Sequence, residues 1–451
     1  MTEPPARYDG YDTRCSAREI IALVTDEFTQ LPAPEKEYEP DGPLAWQGYD
    51  ASRARAAERT GEEESVVCGR VTIGGTQAVV VAFEFGFLGG SLGERTGDLL
   101  QAAYTEAREH RLPVVSLVAT GGSRMQEGMR ALAQLQRVAR QSALTREAGL
   151  PQVAVLRDPT TGGGWATLGA GADVVLALPG VQVGFAGSRV RPPGADPAAY
   201  TAEAQVAAGA ADAVVRPEDL RGALTLWLEL LTGPSRHPAP PPAALGPSTD
   251  LPATGWAAVL RARSPERPRA EAYLDAYFTR RAAIAGDRCG GTDPGVLCGF
   301  GEHEGRTVAY AAQCGTATRP AGYRTAARLI RLAGRLGIPV LTLVDTPGAA
   351  NDAEAERQGA GGSIADVFDA VATARTPVTT LVIGEGGSGG ALALAAPGST
   401  WATPDSYFSV IAPELAAAIL KRPEDQARVT ADELRVRPQD LAALGVVRGI
   451  T

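Results

Sequence analysis

The stretch LPVVSLVATGGSRMQEG, residues 112–128, begins as an apolar strand and then breaks into a loop with two glycines. The stretch IPVLTLVDTPGAAND, residues 338–352, follows the same plan. Four pairs of Gly or Pro residues keep one offset of 226 positions between the two regions: Pro113/Pro339, Gly122/Gly348, Pro151/Pro377 and Gly164/Gly390. A register held over about fifty residues without a gap indicates two copies of one domain.

Each copy has the same order of predicted elements. The openings VVCGRVTIGGTQAVVVAFEF and VLCGFGEHEGRTVAYAAQCG predict β hairpins that turn at GG and EG. An amphipathic helix follows, and then continuous apolar strands alternate with Gly-bearing loops and helices. Continuous apolar strands in this alternation predict parallel sheets covered by helices. The predicted fold class is therefore α/β, with two tandem domains related by internal duplication.

One segment, GPSRHPAPPPAALGPSTDLPATG, has neither helical nor strand periodicity. Its Pro, Ala, Gly and Ser content predicts an extended, exposed linker. The chain of 451 residues also exceeds the usual size of one hydrophobic core. The predicted organisation is an N-terminal segment at 1–64, a first domain at 65–232, the linker at 233–255 and a second domain at 256–451.

Composition excludes several classes of function. A net charge of −9 argues against a nucleic-acid partner. The chain has neither an apolar run of membrane-spanning length nor an N-terminal secretion signal, so we expect a cytoplasmic protein without a membrane partner. No CxxC pair occurs, so no metal site is expected. The three histidines lie outside the Gly-rich segments, which argues against Ser-His-Asp and Cys-His nucleophile systems.

A second glycine cluster follows the next strand of each copy, in DPTTGGGWATLGAG and GEGGSGGALALAAPG. Helix N-termini present unpaired N–H groups with a partial positive charge, and glycines let a ligand approach them closely. Convergent amides of this kind bind an anion or a developing oxyanion. Two such sites without a nearby His or Lys favour polarisation of two carbonyl-bearing reactants, and enolate chemistry on a thioester fits. The alternative is that the glycines serve only close packing.

These motifs resemble the carboxyltransferase component of acyl-CoA carboxylases. The first half is similar to the β subunit of bacterial acetyl-CoA carboxylase in AFEFGFLGGSLGERTG, TGGSRMQEGM, GLPQVAVLRDPTTGGGWA and GFAGSRV. The second half is similar to the α subunit in ARSPERPRAEAYLDAYF, PAGYRTAARLIRLAGRLGIPVLTLVDTPGA, TPVTTLVIGEGGSGGALAL and YFSVIAPE. The resemblance covers most of residues 65–235 and 257–451.

The resemblance implies two crotonase-like ββα-superhelix domains and a transferase of fatty acid or polyketide biosynthesis. The first domain would bind a short acyl-CoA such as acetyl-CoA, which becomes malonyl-CoA. The second would bind carboxybiotin, presented by a separate biotin carboxyl carrier protein and charged by a biotin carboxylase. In the family the reaction site lies between halves, commonly across a dimer interface, so a homo-oligomer is expected.

The resemblance also assigns residues. It implies catalytic backbone positions at Gly121, Gly122, Gly163, Gly164, Gly389, Gly390 and Ala391. It implies positions that contact coenzyme A or biotin at Arg124, Gly187, Arg189 and Gly348. For both arginines a structural salt bridge is the open alternative. Valine at Gly164 or Gly390 is expected to harm catalysis more than folding.

Two departures from the family pattern keep other functions open. The four-Cys zinc ribbon that usually begins the β subunit is missing, and ANDAEAERQG stands where the α subunit usually has YPGVGAEERG. The altered loop at Ala350–Glu356 and the missing zinc ribbon favour a biotin-independent decarboxylase of a malonyl thioester, on CoA or acyl carrier protein. The intact GEGGSGGA favours the transferase, since a decarboxylase has no second carbonyl to polarise. A non-catalytic assembly subunit is the third hypothesis.

Overall fold

The computed structural model of the protein describes residues 15–235 and 237–451. The chain forms two compact units that divide between Thr232 and Gly233. Among the described residues, no helix is both long enough and apolar enough to cross a membrane.

Unit 1 is an α/β unit built on a single eight-stranded sheet. Its strands are β1 (Glu27–Gln30), β2 (Val66–Ile73), β3 (Thr76–Phe83), β4 (Val114–Thr120), β5 (Gln152–Thr161), β6 (Val174–Ala177), β7 (Val183–Gly184) and β8 (Ala213–Val214). Its helices are α1 (Ala17–Val24), α2 (Tyr49–Thr60), α3 (Glu94–Glu109), α4 (Gly128–Glu147), α5 (Gly162–Gly164), α6 (Ala202–Ala207) and α7 (Pro217–Leu231). The sheet order is β1-β2-β3-β4-β5-β6-β8, with β7 paired to β5.

Unit 2 is built on a second sheet of eight strands. Its strands are β9 (Arg280–Ile284), β10 (Val296–His303), β11 (Arg306–Gln313), β12 (Val340–Thr346), β13 (Val378–Gly387), β14 (Thr400–Ala402), β15 (Tyr407–Ser409) and β16 (Gly449–Ile450). Its helices are α8 (Gly255–Arg263), α9 (Ala270–Tyr277), α10 (Pro320–Leu336), α11 (Ala353–Arg357), α12 (Ala360–Ala372), α13 (Ser388–Leu392), α14 (Pro413–Ile419), α15 (Ala427–Glu433) and α16 (Pro438–Ala443). The order is β16-β14-β13-β12-β11-β10-β9, with β15 paired to β13.

The two sheets share one topology, as the sequence offset predicts. Each opens with antiparallel pairs and continues with parallel strands, from β3 to β4, β5 and β6 and from β11 to β12, β13 and β14. A register irregularity falls between Val118 and Thr120 in unit 1 and at the matched Val344 and Thr346 in unit 2. The internal duplication is therefore present in the backbone as well as in the sequence.

The predicted hairpins are found where GG and EG stand. Gly74 and Gly75 have φ of 54° and 82°, while Glu304 and Gly305 have φ of 50° and 73°. Positive φ at both central residues gives a turn whose twist matches that of the paired strands. Each hairpin therefore supplies the first antiparallel pair of its sheet, at the positions that the sequence predicts.

One long amphipathic helix covers each sheet. In α3 the buried residues Leu100, Ala103, Tyr104 and Ala107 follow the spacing of a single helix face. Helix α10 begins with Pro320 at its first turn and ends at Gly337, whose φ is 73°. Proline at the start and a left-handed glycine at the end are typical helix boundaries.

The linker is extended, but it is less exposed than its composition predicts. The Thr379 hydroxyl donates to the Ala239 carbonyl (2.8 Å) and the Tyr277 hydroxyl to the Pro240 carbonyl (2.9 Å). The amide of Leu245 donates to the Tyr273 hydroxyl (3.1 Å). Side chains of unit 2 therefore satisfy part of the linker's backbone, and they hold this segment against unit 2.

Candidate active site

A tight turn joins a central strand to a short helix in each unit. The first glycine turn, Thr161–Gly164, ends β5 and begins α5, and the second, Gly387–Gly390, ends β13 and begins α13. Gly162 has φ of 62° and its counterpart Ser388 has φ of 59°. A left-handed serine is uncommon. Its presence shows that the turn geometry is kept even where glycine is not.

A neighbouring loop packs against each turn. Gly122 has φ of 112° and Gly348 has φ of 142°. The amide of Gly122 donates to the Thr120 hydroxyl (3.1 Å), and that of Gly348 donates to the Thr346 hydroxyl (3.1 Å). An added Cβ on Gly162 would lie 3.2 Å from the Cα of Gly122. Glycine is thus required where the first loop meets the first glycine turn.

Hydrogen bonding within unit 1 corrects part of the predicted catalytic set. The amide of Gly121 donates to the Gly89 carbonyl (2.9 Å), and the amide of Gly162 donates to the Phe185 carbonyl (3.1 Å). Since Gly122 also donates within the loop, neither Gly121 nor Gly122 offers a free N–H group. The same holds for Gly348. These three glycines shape the site, and their amides are not available donors.

Four predicted glycines do keep open amides. Gly163 and Gly164 lie in the first turn of α5, and Gly389 and Gly390 lie in the first turn of α13. First-turn amides have no intrahelical partner. Outside their own helices, the described residues give these four N–H groups no hydrogen-bond acceptor. Each unit therefore presents two adjacent donors, as a site for an oxyanion requires.

Ala391 has a different place in the second glycine turn. It is the fourth residue of α13, where the backbone amide joins the helix ladder. Its side chain is fully buried. Ala391 is therefore a packing residue beside the open amides.

The two sites differ in how crowded they are. An added Cβ on Gly163 would come within 2.4 Å of both δ carbons of Leu135, which lies on α4. An added Cβ on Gly389 meets nothing within 4 Å, and Gly389 is exposed. The residue that matches Leu135 at the same offset is Gly361. The space in the side-chain direction is thus occupied at Gly163 and free at Gly389 among the described residues.

The surroundings of Gly164 and Gly390 add a packing cost to the expected effect of valine at these positions. A Cβ on Gly164 would lie 2.3 Å from Cγ2 of the buried Thr120. A Cβ on Gly390 would lie 2.5 Å from the Ala349 amide nitrogen and 2.5 Å from the Tyr323 hydroxyl. Both glycines are required for packing, so substitution there would damage folding together with any catalysis.

Arg124 takes the structural role that the sequence left open. Its guanidinium is completely buried and pairs with Glu64 (3.0 Å between Nη1 and Oε2). It also donates to the Tyr49 hydroxyl (3.1 Å) and the Ser91 carbonyl (2.7 Å). Burial acts to raise the pKa of Glu64, but the charge and hydrogen bonds of Arg124 outweigh it and hold that pKa below its usual value. A CoA phosphate cannot reach this arginine.

Arg189 and Gly187 lie beside the first glycine turn. Strand β7 pairs with the end of β5 through Gly184 and Thr161, and an added Cβ on Gly187 would lie 3.6 Å from the Thr161 hydroxyl. That is ordinary contact, so no steric reason demands glycine at 187. Arg189 is exposed. Its guanidinium remains available to an anion.

Two side chains at the second site were missed by the sequence reasoning. The Tyr323 hydroxyl donates to the Gly390 carbonyl (3.0 Å), and so does Nε2 of Gln313 (3.3 Å). The sequence did hold a signal for Tyr323, because the matched position of the first copy, 226 residues earlier, is Gly97.

Comparisons with known proteins show the family of the chain. The family "Acetyl co-enzyme A carboxylase carboxyltransferase-like" matches residues 251–451, and the family "Carboxyl transferase domain" matches residues 45–208. The acetyl-coenzyme A carboxylase carboxyl transferase subunits beta/alpha of Salinispora arenicola are 38% identical, over 98% of this chain and 83% of that protein. This chain belongs to the acetyl-CoA carboxylase carboxyltransferase family.

Other members of the wider carboxyltransferase group are also similar. A probable biotin-dependent acyl-coenzyme A carboxylase beta3 subunit of Mycobacterium bovis is 34% identical, over 88% of this chain and 82% of that protein. The carboxyltransferase fold itself matches the crystal structure of transcarboxylase 12S with methylmalonyl-coenzyme A and methylmalonic acid bound. That match has a TM-score of 0.79 at 21% identity, over 97% of this chain and 86% of the other. A single-chain, multi-domain long-chain acyl-CoA carboxylase matches with a TM-score of 0.74 at 20% identity, over 97% of this chain and 46% of the other.

Proposed function

We propose that this protein is the carboxyltransferase component of a biotin-dependent acyl-CoA carboxylase. It would transfer a carboxyl group from carboxybiotin on a separate carrier to a short acyl-CoA such as acetyl-CoA. One observation carries the proposal: two matched glycine turns, each with two open amides, lie on a single chain of the carboxyltransferase family. Two carbonyl-bearing reactants need two such donor sites.

In this proposal each unit binds one of the two reactants. When the α-proton leaves the acyl group, negative charge develops on the thioester oxygen. The amides of Gly163 and Gly164 would donate to that oxygen and stabilise the enolate. The amides of Gly389 and Gly390 would bind the ureido oxygen of carboxybiotin, which supplies the carboxyl group. In this proposal no side chain acts as a nucleophile.

The difference in crowding supports this division. A thioester carbonyl is slender and fits a site beneath Leu135. A bicyclic ureido ring is wider, and the space over Gly389 holds no atom within 4 Å of an added Cβ. This contrast supports placing the biotin ring at the second site and the thioester at the first.

The partners follow from the same proposal. A biotin carboxyl carrier protein and a biotin carboxylase would be needed to deliver the carboxyl group. The exposed guanidinium of Arg189 would meet the phosphates of coenzyme A. The homo-oligomer and the cytoplasmic location stay predictions.

An assay on the wild-type protein tests the function. We expect the pure protein to convert malonyl-CoA to acetyl-CoA only when biotin is present, because the reverse transfer needs an acceptor for the carboxyl group. The measurement is acetyl-CoA release with and without free biotin. Equal release in both conditions would instead support the biotin-independent decarboxylase. No release in either condition would support the non-catalytic subunit.

A second prediction concerns the first site. We expect Gly163→Val, made together with Leu135→Ala to remove the clash, to lower turnover of malonyl-CoA about 100-fold. The added branched side chain occupies the place of the thioester oxygen, while the lost δ carbons leave room for folding. The measurement is initial rate against the Leu135→Ala variant alone. A double variant that matches this reference would contradict the role of Gly163.

A further inference from the structure

The carbonyl of Gly390 is held by two side chains from different elements. Tyr323 lies on α10 and Gln313 ends β11, and both are buried, with 1% and 0% of their surface exposed. Their donors reach the Gly390 oxygen at 3.0 and 3.3 Å. Burial raises the pKa of the Tyr323 hydroxyl, so it stays protonated and remains a donor.

The same contacts extend to the loop beside the turn. Nε2 of Gln313 also donates to the Thr318 hydroxyl (3.1 Å), which contacts the Thr346 hydroxyl at 3.5 Å. Thr346 in turn accepts the amide of Gly348 (3.1 Å). A single polar network therefore connects the second glycine turn with its neighbouring loop.

Unit 1 forms the same backbone and keeps the bond between Gly122 and Thr120, but it lacks the polar side chains that hold the Gly390 carbonyl in unit 2. At the offset of 226 residues, Gly97 stands for Tyr323 and Leu92 stands for Thr318. At the last residue of the matched strand, Phe83 stands for Gln313. The left-handed turn is nevertheless present in both units. The fold of the turn does not depend on these polar side chains.

The network has a cost that packing alone does not explain. Oε1 of Gln313 is buried and finds no hydrogen-bond partner among the residues that the structure describes. An unsatisfied buried oxygen is unfavourable and requires an explanation. Turning the amide over would bring Oε1 within reach of the Thr318 hydroxyl, but it would also place Oε1 against the Gly390 carbonyl, and two carbonyl oxygens repel each other. The side chain keeps the orientation that directs its donors at Gly390.

We propose that Tyr323 and Gln313 are positioning residues for the second site, acting through the Gly390 carbonyl. Adjacent glycines have the greatest backbone freedom of any residues. The Gly390 carbonyl belongs to the peptide group that Gly390 forms with Ala391. Holding this carbonyl from two sides limits rotation about the Gly390 Cα, so the amide of Gly390 is oriented before a ligand arrives. The catalytic part of this inference rests on the proposed function, and the backbone part does not.

Tyr323→Phe tests the inference, since it removes one hydroxyl and keeps the ring. We expect kcat for biotin-dependent turnover of malonyl-CoA to fall about 10-fold while KM for malonyl-CoA stays the same, because the first site is untouched. We also expect faster hydrogen exchange in residues 388–394. Tyr277→Phe is the matched control, because it removes a hydroxyl bond of 2.9 Å to the Pro240 carbonyl of the linker.

Steady-state kinetics and hydrogen exchange together distinguish a failure of the inference from a failure of the proposed function. A Tyr323→Phe protein with wild-type kcat and wild-type exchange would overturn the inference. A parallel rise of KM for malonyl-CoA, or an equal loss of kcat in Tyr277→Phe, would reduce Tyr323 to a general structural role. If the wild type transfers no carboxyl group, the proposed function fails, and the exchange rates still decide whether Gly390 is held.

Discussion

Gly389→Val is expected to lower biotin-dependent carboxyl transfer by about 100- to 1,000-fold, equivalent to about 3–4 kcal/mol of transition-state stabilisation. The valine fits without a clash, since an added Cβ at 389 meets nothing within 4 Å. Its branched side chain then fills the space through which a ureido oxygen would reach the two amides. The measurement is kcat of transfer with a biotinyl acceptor, together with the midpoint of thermal unfolding.

The control for this variant is Gly222→Val. Gly222 is also helical and exposed, and an added Cβ there also meets nothing within 4 Å. Both variants are expected to unfold within a few degrees of the wild type, and only Gly389→Val is expected to lose transfer. If Gly389→Val retains full transfer, the second glycine turn is not the carboxybiotin site.

Arg124→Met is expected to lower the free energy of unfolding by about 3–5 kcal/mol. The substitution leaves the carboxylate of Glu64 buried, with Arg53 as its remaining cation at 3.6 Å. Chemical denaturation measures the loss. Arg216→Met is the control, because both side chains of the Arg216 pair with Asp219 are more than half exposed, and such a pair is worth no more than about 1 kcal/mol.

The pH dependence of Arg124→Met follows from the sign of the Glu64 shift. A folded pKa below the unfolded value contributes stability that is present above about pH 4.3 and is lost as the pH falls. Without Arg124, burial raises the pKa of Glu64, and the carboxyl group becomes neutral at a higher pH. The difference between variant and wild type should therefore shrink on acidification. A difference that is constant from pH 7 to pH 4 would exclude Glu64 as its cause.

The duplication could be predicted from the sequence alone, because Gly and Pro positions are set by local backbone geometry. The matched pairs at 226 residues predicted two sheets of the same order, and both hairpins lie where the sequence placed them. The sequence was also sufficient to identify the two glycine turns. Local patterns of this kind can be recognised in a single sequence, because they do not depend on which distant segments are in contact.

What the sequence could not predict depends on distant partners. Gly121 and Gly122 have the same residue type as Gly163, but the Gly89 carbonyl and the Thr120 hydroxyl already occupy their amides. Arg124 looks like an exposed cation in a loop until Glu64 is seen beside it. Gly164 cannot carry a side chain without a clash, because an added Cβ would meet Cγ2 of Thr120 at the end of β4. Each of these contacts joins segments whose pairing follows only from the tertiary structure.

The linker has a consequence for how a gene of this kind can be divided. Its carbonyls at Ala239 and Pro240 are held by Thr379 and Tyr277, so residues from 239 onward belong physically to unit 2. A break in the coding sequence after codon 232 would keep the linker on the polypeptide that contains unit 2. A break after codon 255 would instead leave the linker on the polypeptide that carries unit 1. Composition alone makes the two positions look equivalent.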